Sequence, residues 1–203
     1  MFIVVNVKVV RGYTMRARAE STARTRERIL DAVIALSEER LTVEIVLADV
    51  AERAGVSVQT VLRHFGSKEN LFDDVVPYWL AQVRTERTTP VGDAAAAVDN
   101  VVRFYDRLGD WTLRVQALEH SDESSRRAVA LGRRFHRQWV EEAFAPQLAG
   151  RSDGDEVVDL LVVATDLLTW KILRRDQAMN RKTTCQRMLR LVECVLSASP
   201  EGG

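Results

Sequence analysis

The chain has 203 residues, enough for one large or two small domains that each bury a core. Its 29 Lys and Arg residues balance 29 Asp and Glu, so the molecule is no polycation and nucleic-acid binding must rest on local charge. Two cysteines, Cys185 and Cys194, exclude a disulfide framework and a paired-thiol zinc site, and no run of about 20 apolar residues is present to cross a membrane.

Phe2–Val10 reads as a short β-branched strand, without the charged, apolar and cleavable segments of a signal peptide. Met15 opens an arginine-rich stretch, so translation is expected to begin there, with Met1–Thr14 as an artefactual leader. Residues 1–23 together are read as leader and basic N-terminal arm without fixed structure. Arg16, Arg18, Arg24, Arg26 and Arg28 against Glu20 and Glu27 give a net of about +3, suited to phosphate or the minor groove and equally to a solvated tail.

From Thr25 to Glu39 the pattern is helical, with Ile29, Val33 and Leu36 at i, i+4 and i+7. Leu47–Ala54 forms a second helix that Gly55 stops. Ser57 stands at the N-cap of Val58–Phe65, and Gly66 ends that helix. Ser67 with Glu69 or Asn70 opens a fourth helix that carries Leu71, Phe72, Val75 and Val76, contains Pro77 and runs to about Arg87. Further helices are expected at Asp93–Leu108, Trp111–His120, Glu123–Leu148, Asp155–Asp176 and Lys182–Ser197, with breaks at Gly109-Asp110, Ser121-Asp122, Gly150–Gly154 and Asn180-Arg181. No alternating pattern follows residue 14, so the fold class is all-α. A helix-turn-helix domain is expected over 24–72 and a helical domain over 73–203. The cysteines, late in this pattern, are expected to be buried small hydrophobes in a reducing cytoplasm.

Leu47–Phe65 has the physical form of a helix-turn-helix. Ala51 is small where two short helices cross, Gly55 permits the turn, and Val50, Val56, Val61 and Phe65 lock the pair. Gln59, Thr60, Arg63 and His64 are left outward on a helix that can enter a major groove. Gln59 can pair with adenine and Arg63 with guanine, and either can instead hold phosphate. Spacing alone also fits an ordinary helical hairpin with a polar outer face.

Arg26-Glu-Arg-Ile-Leu-Asp-Ala32, Asp49-Val-Ala-Glu-Arg-Ala-Gly-Val-Ser57 and His64-Phe-Gly-Ser-Lys-Glu-Asn-Leu-Phe72 resemble, in order and spacing, the DNA-binding domain of TetR-type regulators, over residues 24–75. The resemblance implies an all-α dimer with a DNA-binding head and a ligand-binding, dimerising body. It places Ser57, Val58, Gln59, Thr60, Leu62 and Arg63 on the recognition helix. It puts His64 at a phosphate-contacting position, Lys68 beside the phosphate-attracting start of the fourth helix, and Thr25 at the arm. Two positions depart from the family. Leu62 stands where a phosphate-contacting tyrosine is usual, and Arg40-Leu-Thr-Val-Glu-Ile-Val46 lacks the usual hydroxyl cap of helix two, so one phosphate contact is expected to be missing.

Asp155–Asp176 is apolar on nearly every side, through residues such as Val157, Leu160, Leu161, Val163, Leu167, Leu168, Trp170 and Ile172, and needs cover on several faces. Lys182–Ser197 adds Cys185, Met188, Leu189, Val192 and Val195. The resemblance implies that 155–176 and 182–197 pair with their twofold copies in a homodimer; the alternative is that they form only the monomer core. Phe104, Tyr105, Trp111, Phe135, Trp139 and Trp170, with Trp79, are candidate walls of a small-molecule site, ordinary core being the alternative reading. His120 and His136 lack a metal-spaced partner, and no cofactor is expected.

The expected function is a DNA-binding transcriptional regulator. It would be a repressor released from a near-palindromic double-stranded operator by a small-molecule effector, cytoplasmic and without a membrane partner. One alternative is a helical protein–protein interaction module that has lost DNA readout. The other is a small all-α enzyme, against which stands the absence of a glycine-rich phosphate loop, a GxSxG elbow, an HExxH pair or clear paired carboxylates in an apolar setting.

Overall fold

A computed structural model of the protein describes residues 7–40 and 44–198, and every regular element among them is helical. The chain divides into two compact units after Tyr78. The first contains α1 (Val7–Glu39), α2 (Leu47–Ala54), α3 (Val58–Phe65) and the first half of α4 (Lys68–Glu86). α4 runs uninterrupted across this division, and on the first unit's side the Tyr78 hydroxyl donates to Asp31 Oδ1 of α1 at 2.9 Å.

α1 begins earlier than expected. Val7–Val10, read from sequence as part of a strand, are helical, as is the rest of the arm from there to Thr25; Phe2–Asn6 lie outside the described residues. From Tyr13 to Glu39 no glycine or proline interrupts a composition rich in Ala, Arg and Glu, so a helix once nucleated propagates through it. Its buried stripe is the expected one, Ile29, Val33 and Leu36, joined by Ile45, Val50, Val61, Phe65 and Leu71 in the first core.

The second unit holds α5 (Ala94–Ala117), α6 (Glu123–Ala143), α7 (Ala145–Leu148), α8 (Gly154–Ala164), α9 (Leu167–Lys171), a π-helical turn (Ile172–Asp176) and α10 (Arg181–Ser197). Three expected boundaries are corrected. Gly109-Asp110 is no break: α5 runs through Gly109, whose missing Cβ makes room for the Trp170 ring, so the glycine serves close packing and not a turn. Conversely, the expected Glu123–Leu148 helix stops at Ala143 and restarts with Pro146 in the first turn of α7, where a proline lacking N–H is tolerated. The expected Asp155–Asp176 helix is interrupted at Thr165-Asp166. There Thr165 Oγ1 donates back to Leu161 O at 2.7 Å, and Asp166 Oδ1 caps α9 by accepting from Leu168 N at 2.7 Å.

α8 and α9 have two faces. Val157, Val158, Leu161, Ala164, Leu167 and Trp170 are buried, whereas Leu160, Val163 and Leu168 are exposed, with Ile172 beyond them. α10 turns Met188 and Val192 into the unit's own core, with Cys185, Leu189 and Val195 packed against them, and leaves Leu191 exposed. Cys194 lies on that outward side and is exposed, and Cys185 is half-buried, which corrects the expectation that both are buried. Among the described residues no helix is long and apolar enough to cross a membrane.

Candidate nucleic-acid interface

Local chemistry sets the α2–turn–α3 geometry. Gly55 adopts φ 64°, ψ 42°, a left-handed C-cap natural to glycine, and its N–H together with that of Val56 closes the end of α2 on Glu52 O and Ala51 O. Ser57 then caps α3: its Oγ accepts from Thr60 N at 3.2 Å and lies 3.0 Å from Thr60 Oγ1. Val50, Ala51, Ala54, Val61 and Phe65 are buried between the helices. Removing the cap in Ser57→Ala is expected to lower unfolding free energy by about 1 kcal/mol, read by urea denaturation; an unchanged midpoint would mean that the cap contributes nothing to α3.

The outward side of α3 carries what sequence placed there. Val58, Gln59, Leu62 and Arg63 are exposed, Thr60 and His64 half-buried. Arg63 has no hydrogen-bond or ion-pair partner among the described residues, so its guanidinium is available. Burial, with Arg63 and Arg26 nearby, holds the His64 imidazole below its ordinary pKa, which leaves it neutral near pH 7. Lys68 opens α4, with its Nζ 5.6 Å from the Phe72 ring centroid, and Ser67 Oγ caps that helix by accepting from Asn70 N at 3.2 Å.

Two arm residues play structural parts. Thr25 donates its hydroxyl to Ser21 O inside α1, at 2.9 Å. Arg26 is held by the head: its Nη2 donates to Asp74 Oδ2 at 2.7 Å, its Nη1 to His64 O at 3.3 Å, and its guanidinium stacks 4.4 Å from the Phe65 ring centroid. It therefore anchors the end of α3, a role that sequence reading assigned to the arm's free charge. At α2 the departure in sequence is visible as chemistry. Val46 takes the N-cap position 51% exposed and has no side-chain acceptor; the surviving contact is Asp49 Oδ2 accepting from Val46 N at 3.3 Å. Its neighbour Ile45 is fully buried, so the position before the cap serves the core.

In the second unit, the candidate ligand residues separate. Phe104, Tyr105 and Trp170 are buried in the core, and Trp111 is half-buried, edge-on to Trp79 at 5.0 Å, with its Nε1 lacking a partner among the described residues. Half-buried Phe135, with Trp139, which is itself a buried member of the core, lines a cleft of ≈ 170 Å³, together with Arg84, Arg87, Thr88 and Gln138. Behind it Arg87 Nη2 donates to His136 Nδ1 (3.2 Å). An arginine only donates, so the neutral ring carries its proton on Nε2, which donates to Thr165 Oγ1 at 3.1 Å.

Burial and the Arg87 charge push the His136 pKa down to about 3. Below about 6.5, the unfolded value, the unfolded chain binds a proton that the folded chain refuses. Stability from this residue is therefore complete above pH 6.5 and is lost progressively on acidification toward pH 3. The variant His136→Gln is expected to show a shallower acid decline in denaturation profiles taken between pH 4 and 7; parallel curves for the two proteins would refute the assignment.

Residues 29–75 match the family model of bacterial regulatory proteins, tetR family. No curated protein matches the chain significantly. Among solved structures, a transcriptional regulator from Rhodococcus sp. Rha1 superposes with a TM-score of 0.64 at 16% identity, covering 84% of this chain and 95% of that one. A TetR-family transcriptional regulator from Streptomyces coelicolor gives a TM-score of 0.62 at 16% identity, covering 89% of this chain and 92% of that one. At such identity the likeness establishes the shared fold.

Proposed function

We propose that this chain, whose residues 29–75 match the tetR family model, is a TetR-type regulator acting as a repressor, released from a near-palindromic operator by a small-molecule effector. The observation that carries the reading is α3. Its inner face is locked by Val61 and Phe65, its start is capped by Ser57, and its outer face offers Gln59, Thr60 and an unpaired Arg63. A rigid helix with free polar ends is what base-edge readout in a major groove requires. Leu62, 39% exposed, offers an apolar contact to a thymine methyl or a sugar in place of a phosphate donor.

The exposed apolar side chains of α8 and α9 support a homodimer, since they would otherwise face water on a helix pair already buried on its other side. Two heads then read half-sites separated by one turn of DNA, about 34–36 Å, or a multiple of it. An effector that favours another spacing by about 1–3 kcal/mol releases the operator without touching the DNA surface. The protein acts in the cytoplasm, on DNA and without a membrane.

The test is binding of the full chain to DNA upstream of its own coding sequence, across a salt series. Saturable binding to a near-palindrome is expected, falling steeply with salt. Arg63→Ala should cost about 1–3 kcal/mol and relax preference at one base position. Lys68→Ala should weaken all sequences alike and reduce the salt slope by about 1. Equal, weak binding of every duplex would instead favour an interaction module without DNA readout.

A further inference from the structure

Arg87, just past the C-terminal end of α4, is 3% exposed and meets no carboxylate among the described residues. Buried guanidinium groups are ordinarily paired with an acid, because taking the charge out of water is costly. Here the surroundings are neutral. The guanidinium carbon lies 4.1 Å from the Trp139 ring centroid, 5.4 Å from that of Phe104 and 5.7 Å from that of Phe135. Nη2 donates to the neutral His136, and Nε has no hydrogen-bond partner among the described residues. Trp139 Nε1 donates to Arg87 O at 2.9 Å, which pins the backbone. The helix C-terminus favours a cation there, but that effect is smaller than the penalty of burying an unpaired one.

The same residue lines the cleft of ≈ 170 Å³. Around the cleft, Phe135, Trp139, Val91 and Ala143 supply apolar wall, and Thr88 and Gln138 polar groups. Arg84 is already neutralised by Glu142, whose Oε1 also accepts from Gln138 Nε2 at 3.0 Å. Arg87 is thus the cation of the cleft that has no anion among the described residues. A planar fork of donors beside aromatic faces matches a carboxylate carried on a flat apolar body; a phosphate dianion would require more donors than this wall offers.

We propose that this cleft binds a small organic monocarboxylate, its anionic head paired with Arg87 and its body resting on Phe135 and Trp139. As an effector site this rests on the regulator reading above; as a binding site it does not.

The test is calorimetric titration of the full chain, free of DNA, with benzoate and phenylacetate and with the matched neutral amides, benzamide and phenylacetamide. The acids are expected to bind roughly ten- to hundredfold more tightly than the amides, the worth of a charge-assisted hydrogen-bonded pair. Arg87→Met should remove that preference. Thr88→Trp, at an exposed position of the cleft where folding is not at risk, should weaken acids and amides alike, so the inference stands or falls even if Arg87→Met does not fold. Equal binding of acids and amides, failure of both acids to bind, or acid binding untouched by either substitution would overturn it. Operator binding measured with and without benzoate separates the two claims: acid binding that leaves operator affinity unchanged removes the effector role, and a chain that binds no operator yet binds the acids removes the regulator reading alone.

Discussion

Trp170→Ala is expected to lower the unfolding free energy by about 3–5 kcal/mol, the usual cost of emptying a large buried aromatic site. Trp170 is fully buried in α9, and its ring sits against Gly109 of α5 and 5.9 Å from the Tyr105 ring centroid. Its Nε1 donates to Asp106 Oδ1 at 3.1 Å, an oxygen that also accepts from Arg174 Nε at 3.0 Å, so truncation leaves both a cavity and a missing donor. The reciprocal change tests the same contact. A Cβ at Gly109 would lie 2.5 and 2.6 Å from two ring atoms of Trp170, closer than packing allows. Gly109→Ala should therefore cost about 1–3 kcal/mol by overpacking. In the Trp170→Ala background that cost should vanish, because the atoms it collides with are gone. Urea denaturation of the four proteins gives the coupling directly. Strict additivity would mean that the ring and the glycine do not meet.

On the homodimer proposed above, Val163→Glu combined with Leu168→Glu is expected to separate the subunits and weaken operator binding by about 10²–10⁴-fold, the gain that linking two half-site contacts provides. Val163 is 64% exposed and Leu168 51%, so neither substitution disturbs the unit's own core, and circular dichroism should be unchanged. Placing four carboxylates across a twofold interface both removes apolar burial and adds like-charge repulsion. Sedimentation velocity and operator titration are read together. A dimer of ordinary operator affinity in this variant would move the interface away from α8 and α9.

The head was legible in sequence because its instructions are local. Gly55 fixes a left-handed turn, Ser57 caps α3 through an amide three residues on, and the stripe of Ile29, Val33 and Leu36 turns α1 inward. Even the departures were readable: Leu62 and Val46 are exposed, as apolar residues on outward positions must be. Arg26 was misread, since its partners, Asp74 and Phe65, lie far along the chain.

In the body, residue type and spacing established helices and apolar faces but left their interruptions and assignments open. Gly109 looks in sequence like a helix stop, and only the Trp170 ring shows it to be a packing gap. The aromatic residues looked alike as pocket walls, yet Phe104, Tyr105 and Trp170 only fill the core, while Phe135 and the equally buried Trp139 border the cleft. Arg87 carried no signal, because one arginine among many is indistinguishable until its neighbours prove to be aromatic rings and a neutral histidine in place of acids. Sequence by itself therefore determined α2, α3, the turn between them and the outward face of α3, each settled by contacts within a few residues. Tertiary structure decided where α5, α8 and α9 continue or stop, which aromatics meet solvent, and which cation is buried without an anion, since burial and charge pairing depend on residues brought together from distant parts of the chain.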